Sequence, residues 1–175
     1  MRKRKLAFID IEATGLDVIN HEITQIGCVL AAPDLKIIEE FELKVKPEHV
    51  ETADPTSLKI SPYNEAEWAD AIPLAEALRV LAGKTKDAVM VGQNVAFDSA
   101  FLEHAFSKMN MKNTMHYHKL DTISIAWARF HDVLDFEHFS LREMCSYFDI
   151  EIKNSHTGLG DARATYELYK KLMSL

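Results

Sequence analysis

Three closely spaced apolar runs at the start of the chain constrain its fold most strongly. They cover residues 6–12, 23–32 and 35–45, and the third alternates apolar with polar residues. Runs of this length and composition predict β-strands. A Pro-Asp sequence between the second and third runs favours a hairpin turn. The chain therefore begins with a meander in which at least the second and third strands are antiparallel.

Strand and helix patterns alternate in the rest of the chain. Residues 46–62 carry three prolines and predict an irregular crossing. Ser140 and Glu143 have the spacing of a capping box, which marks a helix start. The order of elements predicts one domain, residues 1–175, of the α/β class, with a mixed central sheet and helices on both faces. The elements predicted after residue 62 are two short helices, a strand at 88–91, a helix containing Phe97 and Phe106, a short strand near 116–120, a helix from about 122 to 129, the helix that Ser140 opens, and a last helix from near Gly160.

Charge and cysteine usage narrow the classes of partner and compartment. The net charge of −7, from 27 acidic and 20 basic residues, gives no protein-wide positive field, so nucleic-acid binding would have to be local. Cys28 and Cys145 are far apart, which excludes a zinc knuckle and a disulfide framework and predicts a cytoplasmic protein. No apolar stretch approaches the roughly 20 residues of a membrane span, so no membrane partner is expected.

A pair of carboxylates ends the first predicted strand. Because side chains alternate across a strand, Asp10 and Glu12 point to one face and lie about 7 Å apart. Neighbouring anions at the end of an apolar strand repel each other and lose hydration unless a cation compensates them. Mg²⁺ or Mn²⁺ suits carboxylate oxygens. The alternative for this pair alone is two solvated residues at a strand end.

Two further motifs carry titratable side chains near predicted helix starts. Asp98 falls in the first turn of the helix after the strand at 88–91, a place where an aspartate also occurs for local reasons. His156 precedes Asp161 by five residues, with two glycines between them, which predicts a histidine on a mobile loop and an aspartate fixed by the last helix. Such a histidine suits a general base near neutral pH, although a lone loop histidine commonly has no catalytic role.

The three motifs together resemble those of the DEDDh, or DnaQ-like, family of 3′-to-5′ exonucleases, which includes proofreading subunits. The residues from Phe8 to Leu16 and the Gln25-Ile26-Gly27 sequence also resemble the first two strands of that family, so nearly the whole chain is covered. The resemblance implies an RNase H-like fold. It also implies two Mg²⁺ or Mn²⁺ ions bound by four carboxylates, with His156 deprotonating the attacking water. The implied metal ligands are Asp10, Glu12, Asp98 and Asp161.

The same residue-by-residue transfer implies a site for the terminal nucleotide. Leu16 would form an apolar tip beside the acids, and Phe101 would stack on the substrate. Two positions depart from the pattern: many relatives have Thr or Ser in place of Ala13, and Ala in place of Gly158. The glycine is expected to loosen the loop that carries His156. The implied substrate-binding residues are Thr14, Gly15, Leu16, Asn94, Phe97 and Phe101.

The predicted function is hydrolysis of phosphodiester bonds at the 3′ end of single-stranded or frayed DNA, with release of nucleoside 5′-monophosphates. The motifs leave open an exoribonuclease or an oligonucleotide-degrading enzyme. A third alternative, from a different class, is a non-catalytic module that binds nucleic acid or a polymerase. The expected partner is a nucleic acid with a free 3′ end, DNA or RNA, and a polymerase or a second copy of the chain is a further candidate.

Overall fold

The computed structural model describes residues 3–60, 63–132, 136 and 138–174. A short 3₁₀ turn covers Val50–Thr52 and lies in the crossing between the meander and the rest of the chain. The strands are β1 (Leu6–Ala13), β2 (Ile23–Ala31), β3 (Ile37–Lys44), β4 (Val89–Gly92) and β5 (Lys119–Asp121). The helices are α1 (Pro55–Ile60), α2 (Leu74–Lys84), α3 (Val95–Lys108), α4 (Thr122–Phe130), α5 (Leu141–Tyr147) and α6 (Gly158–Ser174).

The strands form one mixed sheet in the order β3-β2-β1-β4-β5. β1 pairs antiparallel with β2 and parallel with β4, and β2 pairs antiparallel with β3. β4 and β5 are parallel. The predicted meander and the predicted mixed sheet are therefore confirmed. β1, which ends in the two acids, is the central strand and has a partner along each edge.

Alternation along β1 divides its side chains between two cores. Ala7, Ile9 and Ile11 pack in a core to which α2 and α3 contribute. Phe8 packs on the opposite face, where its ring meets the edges of Tyr166 and Tyr169 of α6 at centroid distances of 5.2 and 5.3 Å. Helices thus cover both faces of the sheet, as predicted. Since Asp10 and Glu12 keep the register of Phe8, they lie on the face that α6 covers.

The crossing at residues 46–62 contains more regular structure than predicted. Asp54 accepts hydrogen bonds of 2.8 Å from two backbone amides of the first turn of α1. Pro55, at the first helical position, needs no hydrogen-bond partner for its nitrogen. The prediction of an irregular crossing is therefore wrong for residues 55–60, because Pro55 starts a helix there. Of the two short helices expected after this stretch, α2 is present and α1 comes earlier; residues 61 and 62 lie outside the described residues.

Element ends differ from the predictions by a few residues where a turn residue has a left-handed backbone. β3 begins at Ile37, because Leu35 has a φ of 66° and closes the hairpin through its amide to the carbonyl of Ala32, 2.9 Å away. The capping box at Ser140 and Glu143 is present and starts α5, as predicted. In the part of the chain that the structure describes, no helix combines the length and apolar character that crossing a membrane requires.

Candidate active site

Three carboxylates converge at the end of β1. Asp10 and Glu12 come from the strand and Asp161 from the first turn of α6. One ligand oxygen of each lies within 4.8 Å of the others, and all three side chains are partly buried. The predicted pairing of Asp10 and Glu12 on one face is therefore confirmed. The fold adds Asp161 to this pair because α6 packs directly over β1 and β2.

Two glycines allow α6 to approach the sheet so closely. A Cβ atom on Gly27 would lie 1.9 Å from the carbonyl carbon of Gly158, and a Cβ on Gly158 would lie 2.7 Å from the nitrogen of Gly27. Gln25, itself buried, accepts a 2.7 Å hydrogen bond from the nitrogen of Gly158. The expectation that Gly158 loosens its loop is therefore wrong, because the residue is buried and fixed against β2. The Gln25 side chain thus fixes the start of α6, a role that its place in the second strand does not indicate.

Asp98 lies beside the three acids but is oriented differently. It is 3% exposed, and its Oδ1 accepts a 2.9 Å hydrogen bond from the backbone nitrogen of Ile11. That bond joins the first turn of α3 to β1 between the two strand acids. Asp98 falls in the first helical turn, as predicted. Its charge acts on Asp10, but its oxygens are not among those that lie within 4.8 Å of one another.

Burial raises the pKa of all four acids, and repulsion between carboxylates adds to this effect for Asp10, Glu12 and Asp98. Burial is the largest cause for Asp10, and the charges of Asp98, Asp161 and Glu12 add to it. Burial, reinforced by the charge of Asp161, raises the pKa of Glu12 to about 7. Burial also raises the pKa of Asp98 to about 7, against the lowering effect of the hydrogen bond from Ile11. The pKa of Asp161 is raised by burial as well. Without a cation, this cluster retains protons near neutral pH.

The donor set fits a hard divalent cation. Mg²⁺ and Mn²⁺ prefer oxygen ligands, and converging carboxylates are the side chains that supply them. A bound cation would replace the retained protons and offset the repulsion that raises the pKa values. Cys28 and Cys145 are buried free thiols, and neither belongs to the acidic group. The residues present therefore could hold such an ion.

His156 lies in an exposed turn just before α6, outside both cores. Its φ of 61° places it in the left-handed region, and its backbone nitrogen donates a 3.2 Å hydrogen bond to Oδ2 of Asp161. The charge of the imidazolium lowers the pKa of Asp161, so the two side chains are close enough to interact. The structure brings this histidine to the acidic cluster while leaving its ring accessible to solvent.

The turn after β1 carries the residues expected to hold a terminal nucleotide. Thr14 is fully buried; its Oγ1 accepts a 2.9 Å hydrogen bond from the nitrogen of Glu22, which closes the turn. Gly15 rests on the ring of His21, where a Cβ atom would come within 2.3 Å. Leu16 is 78% exposed and is an apolar side chain at the tip of this turn. Thr14 and Gly15 thus shape the turn, and Leu16 is the side chain that it presents.

Motif residues around the start of α3 line the other side of the cluster. Asn94 is exposed with a φ of 57°, and its nitrogen donates to Oδ1 of Asp121 at 3.2 Å. Asp121 also caps α4, as its position before Thr122 predicts, and its charge raises the pKa of Asp98. Phe97 is half-buried and packs on Phe101 at a centroid distance of 4.9 Å. Phe101 is 2% exposed, so its ring supports Phe97 from behind, and its stacking on substrate stays a prediction.

A model of the protein family described as Exonuclease matches residues 7–169. The chain belongs to this exonuclease family. The DEDDh resemblance seen in the sequence is thereby confirmed, since the matched range contains all three motifs.

Curated relatives are polymerases that contain a segment similar to this exonuclease chain. The DNA polymerase III PolC-type of Caldanaerobacter subterraneus subsp. tengcongensis is 30% identical over 166 residues, which cover 94% of this chain and 11% of that protein. The Bacillus subtilis PolC-type polymerase is 25% identical over 164 residues, with the same coverage. The chain therefore spans about a ninth of the length of these relatives.

Solved structures of exonuclease I share the fold. The E. coli enzyme in complex with a dT13 oligonucleotide superposes with a TM-score of 0.84 at 16% identity, over 98% of this chain and 41% of that one. A structure of an ExoI/SSB-Ct complex gives a TM-score of 0.82 at 15% identity over the same shares. The predicted RNase H-like fold is thereby confirmed, and the family supports a nuclease hydrolase.

Proposed function

We propose that the chain is a metal-dependent 3′-to-5′ exonuclease that removes nucleoside 5′-monophosphates from single-stranded or frayed DNA. The observation that carries this proposal is the convergence of Asp10, Glu12 and Asp161 within 4.8 Å, beside the buried Asp98, in a chain of the exonuclease family. Repelling carboxylates at a strand end are costly unless they bind cations, so the arrangement favours a functional role over a structural one.

The four acids would share the binding of two Mg²⁺ or Mn²⁺ ions. Such ions activate a water molecule and stabilise the departing oxygen in phosphodiester hydrolysis. Asp10, Glu12 and Asp161 supply converging oxygens. Asp98 supplies a carboxylate held in place by the nitrogen of Ile11. The backbone need not rearrange for these side chains to bind a cation, because β1, α3 and α6 already position them.

His156 would accept the proton of the attacking water. His156 is exposed and adjacent to Asp161, and histidine is the side chain that most often serves as a general base. The carboxylate of Asp161 stabilises the imidazolium that forms. The carboxylates and His156 therefore have separate tasks, one group binding cations and the other moving a proton.

A terminal nucleotide would be held between the turn after β1 and the start of α3. Leu16 presents an exposed apolar side chain against which a base can pack, and Phe97 offers a ring supported from behind by Phe101. Asn94 has an exposed side-chain amide at the same edge of the sheet. Apolar and aromatic contacts of this kind tolerate any base, which suits an enzyme that degrades a strand regardless of sequence.

DNA is the proposed substrate because the comparisons favour it. The relatives are DNA polymerases, and exonuclease I was solved with a dT13 oligonucleotide. RNA trimming and degradation of short oligonucleotides use the same chemistry and remain the alternatives. A polymerase partner is likewise a proposal, since the similar segment lies inside polymerase chains. The homodimer and the cytoplasmic location stay predictions.

A time course with purified protein tests the proposal. The substrates are 5′-labelled single-stranded DNA and RNA of the same sequence, each with Mg²⁺, Mn²⁺ or EDTA. A metal-dependent ladder of products shortened from the 3′ end supports the exonuclease, and relative rates on the two strands decide the sugar preference. Absence of product from both strands would overturn the proposal and favour the non-catalytic binding module.

A further inference from the structure

A cavity of about 250 Å³ lies behind the turn that carries Leu16, apart from the acidic cluster. It is enclosed by residues 18–23, by the segment that follows β3, and by the side of α3 that carries Phe101 and Lys108. Small-molecule sites commonly measure roughly 300–1,000 Å³. This cavity lies just below that range, so it can take one small ligand at most and is too small for several nucleotides of a strand.

The floor of the cavity is apolar. Ile23, Val45, Phe101 and Ala105 line it, and each belongs to the buried core. Ile23 opens β2 opposite Ala13, the residue after Glu12. The apolar floor therefore begins on β2, the strand next to the one that carries Asp10 and Glu12. It lies under the turn that would touch the terminal nucleotide. A planar base can pack on such a floor without loss of hydrogen bonds to its edges.

Two lysines and two glutamates line the rim of the cavity. Lys46 and Lys108 are exposed, and neither forms an ion pair with another described residue. Oε2 of Glu22 accepts hydrogen bonds of 2.9 and 2.8 Å from the backbone nitrogens of Glu48 and His49, and Glu48 is exposed. In a chain of net charge −7, the two lysines are the cations of this cavity that can bind a phosphate.

Imidazoles add hydrogen-bonding and stacking groups to the same cavity. His21, His49 and His104 line it. Nδ1 of His21 accepts a 2.8 Å hydrogen bond from the nitrogen of Asp17, so Nε2 carries the proton of the neutral ring and is a donor. Because Gly15 rests on the ring of His21, a ligand that moves this ring also moves the turn that ends in Leu16.

We propose that this cavity binds one nucleoside 5′-monophosphate, with its base on the apolar floor and its phosphate at Lys46 and Lys108. The floor suits a single base, and the two lysines suit a single phosphate at the mouth of the cavity. That this ligand is the enzyme's own product rests on the proposed function, whereas the binding itself does not. Occupancy acts on the Leu16 turn through His21, so the released nucleotide slows the next cycle.

Nuclear magnetic resonance of the full chain tests the proposal without hydrolysis. The protein, labelled with ¹⁵N and kept in EDTA, is titrated with dAMP, with deoxyadenosine and with inorganic phosphate. Saturable shifts of amides at residues 18–23 and 104–109, with smaller shifts at Gly15 and Leu16, are expected for dAMP. Deoxyadenosine and phosphate alone should bind at least about tenfold more weakly, because each makes only part of the contacts.

Matched lysine variants locate the phosphate. Lys46→Ala and Lys108→Ala together should weaken dAMP binding roughly tenfold. The control combines Lys86→Ala and Lys112→Ala, two exposed lysines outside the cavity, and should leave the affinity unchanged. An equal loss of dAMP affinity in both double variants would mean that only the overall charge of the protein matters, and it would overturn the proposed site.

Other outcomes also overturn the proposal and identify the true occupant. Shifts confined to Glu12, Leu16 and Asn94 would mean that dAMP binds only at the catalytic edge. Cavity shifts that appear with an oligonucleotide but not with dAMP would assign the cavity to the strand. Phosphate binding as tightly as dAMP would make it an anion site. A chain that hydrolyses no strand yet gives the dAMP shifts would sink the proposed function and leave this site standing.

Discussion

The acidic cluster and His156 lie together at the C-terminal end of β1, but different kinds of structure hold them. The cluster stands on β1 and α6, and Asp98 on α3, all elements packed into the cores. His156 occupies an exposed turn and is tied to the site by one backbone hydrogen bond to Asp161. In the proposed function, rigid elements would bind the cations and an accessible turn would carry the group that accepts the proton. This difference predicts that the two groups fail in different ways when they are changed.

Removal of one strand or helix acid should have the largest effect. Asp10→Ala and Asp161→Ala should each lower the hydrolysis rate by about 10³-fold or more, in the range for losing one transition-state stabiliser or exceeding it. Both variants should stay folded, because each removes a charge whose burial is unfavourable. Rates on labelled single-stranded DNA and circular dichroism provide the measurements.

Asp34→Ala is the control for these variants, since Asp34 is an exposed acid of the β2–β3 hairpin. It should keep the parent rate. An Asp10→Ala protein that is folded and fully active would remove the acidic cluster from the mechanism.

Removal of His156 should separate proton transfer from cation binding. His156→Ala should lower the maximal rate by about 10²-fold or more, the usual contribution of a general base. Mn²⁺ affinity, measured by calorimetry, should stay close to that of the parent because the carboxylates are untouched. His118→Ala, an exposed histidine before β5, is the matched control. Loss of Mn²⁺ binding in the His156 variant would show that the turn supports the cluster rather than moving a proton.

The pH dependence of stability should be set by titration of the buried acids and not by the turn that carries His156. The pKa values of Glu12 and Asp98 are raised to about 7, whereas unfolded carboxyls titrate near roughly 4. The folded state therefore binds more protons in between, and the metal-free protein loses stability as the pH rises from about 4 to about 7. In EDTA, Tm should be lower at pH 8 than at pH 5, and Mg²⁺ should raise Tm more at pH 8.

Glu12→Gln sharpens this measurement because it removes one of the titrating groups and keeps the shape of the side chain. The variant should show a smaller difference in Tm between the two pH values, while His156→Ala should show the parent difference. A parent protein that is more stable at pH 8 than at pH 5 without metal would contradict the assigned direction of the pKa shifts.

The smallest expected effect tests the contact that brings α6 to the sheet. Gly158→Ala adds a Cβ atom 2.7 Å from the nitrogen of Gly27, so it should cost about 1–3 kcal/mol of unfolding free energy, the usual range for overpacking. Gly83→Ala in α2 is the matched control, because its Cβ would meet no atom within 4 Å. It should stabilise the protein by up to about 1 kcal/mol. Urea denaturation measures both, and equal values would mean that the close approach relaxes freely.

Local patterns in the sequence predicted the parts of the site that depend on neighbouring residues. Strand alternation placed Asp10 and Glu12 on one face, and helix-start signals placed Asp98 and Asp161 in first turns. The family motifs supplied which of these acids belong together. Each of these predictions rests on spacing within one element and the elements next to it, which a sequence shows directly.

Contacts between distant segments could not be predicted in the same way. The Gly27 and Gly158 contact and the Gln25 hydrogen bond join residues more than a hundred positions apart, and only the packed fold shows how closely they approach. The orientation of Asp98 toward the nitrogen of Ile11 is of the same kind. Prolines in the crossing misled the prediction for a different reason, since proline ends a helix in its interior but is favoured at its first position.

The central place of β1 ties catalytic competence to the integrity of the whole fold. β1 has a hydrogen-bonded neighbour on each side and a core on each face, so its amides should exchange with solvent only when the molecule opens globally. Molecules in which only the edge strands β3 or β5 open would keep the carboxylates of the site in place. Molecules in which β1 opens would lose the site and both cores together. A population of this protein would therefore contain active and unfolded chains, with few that are folded but inert.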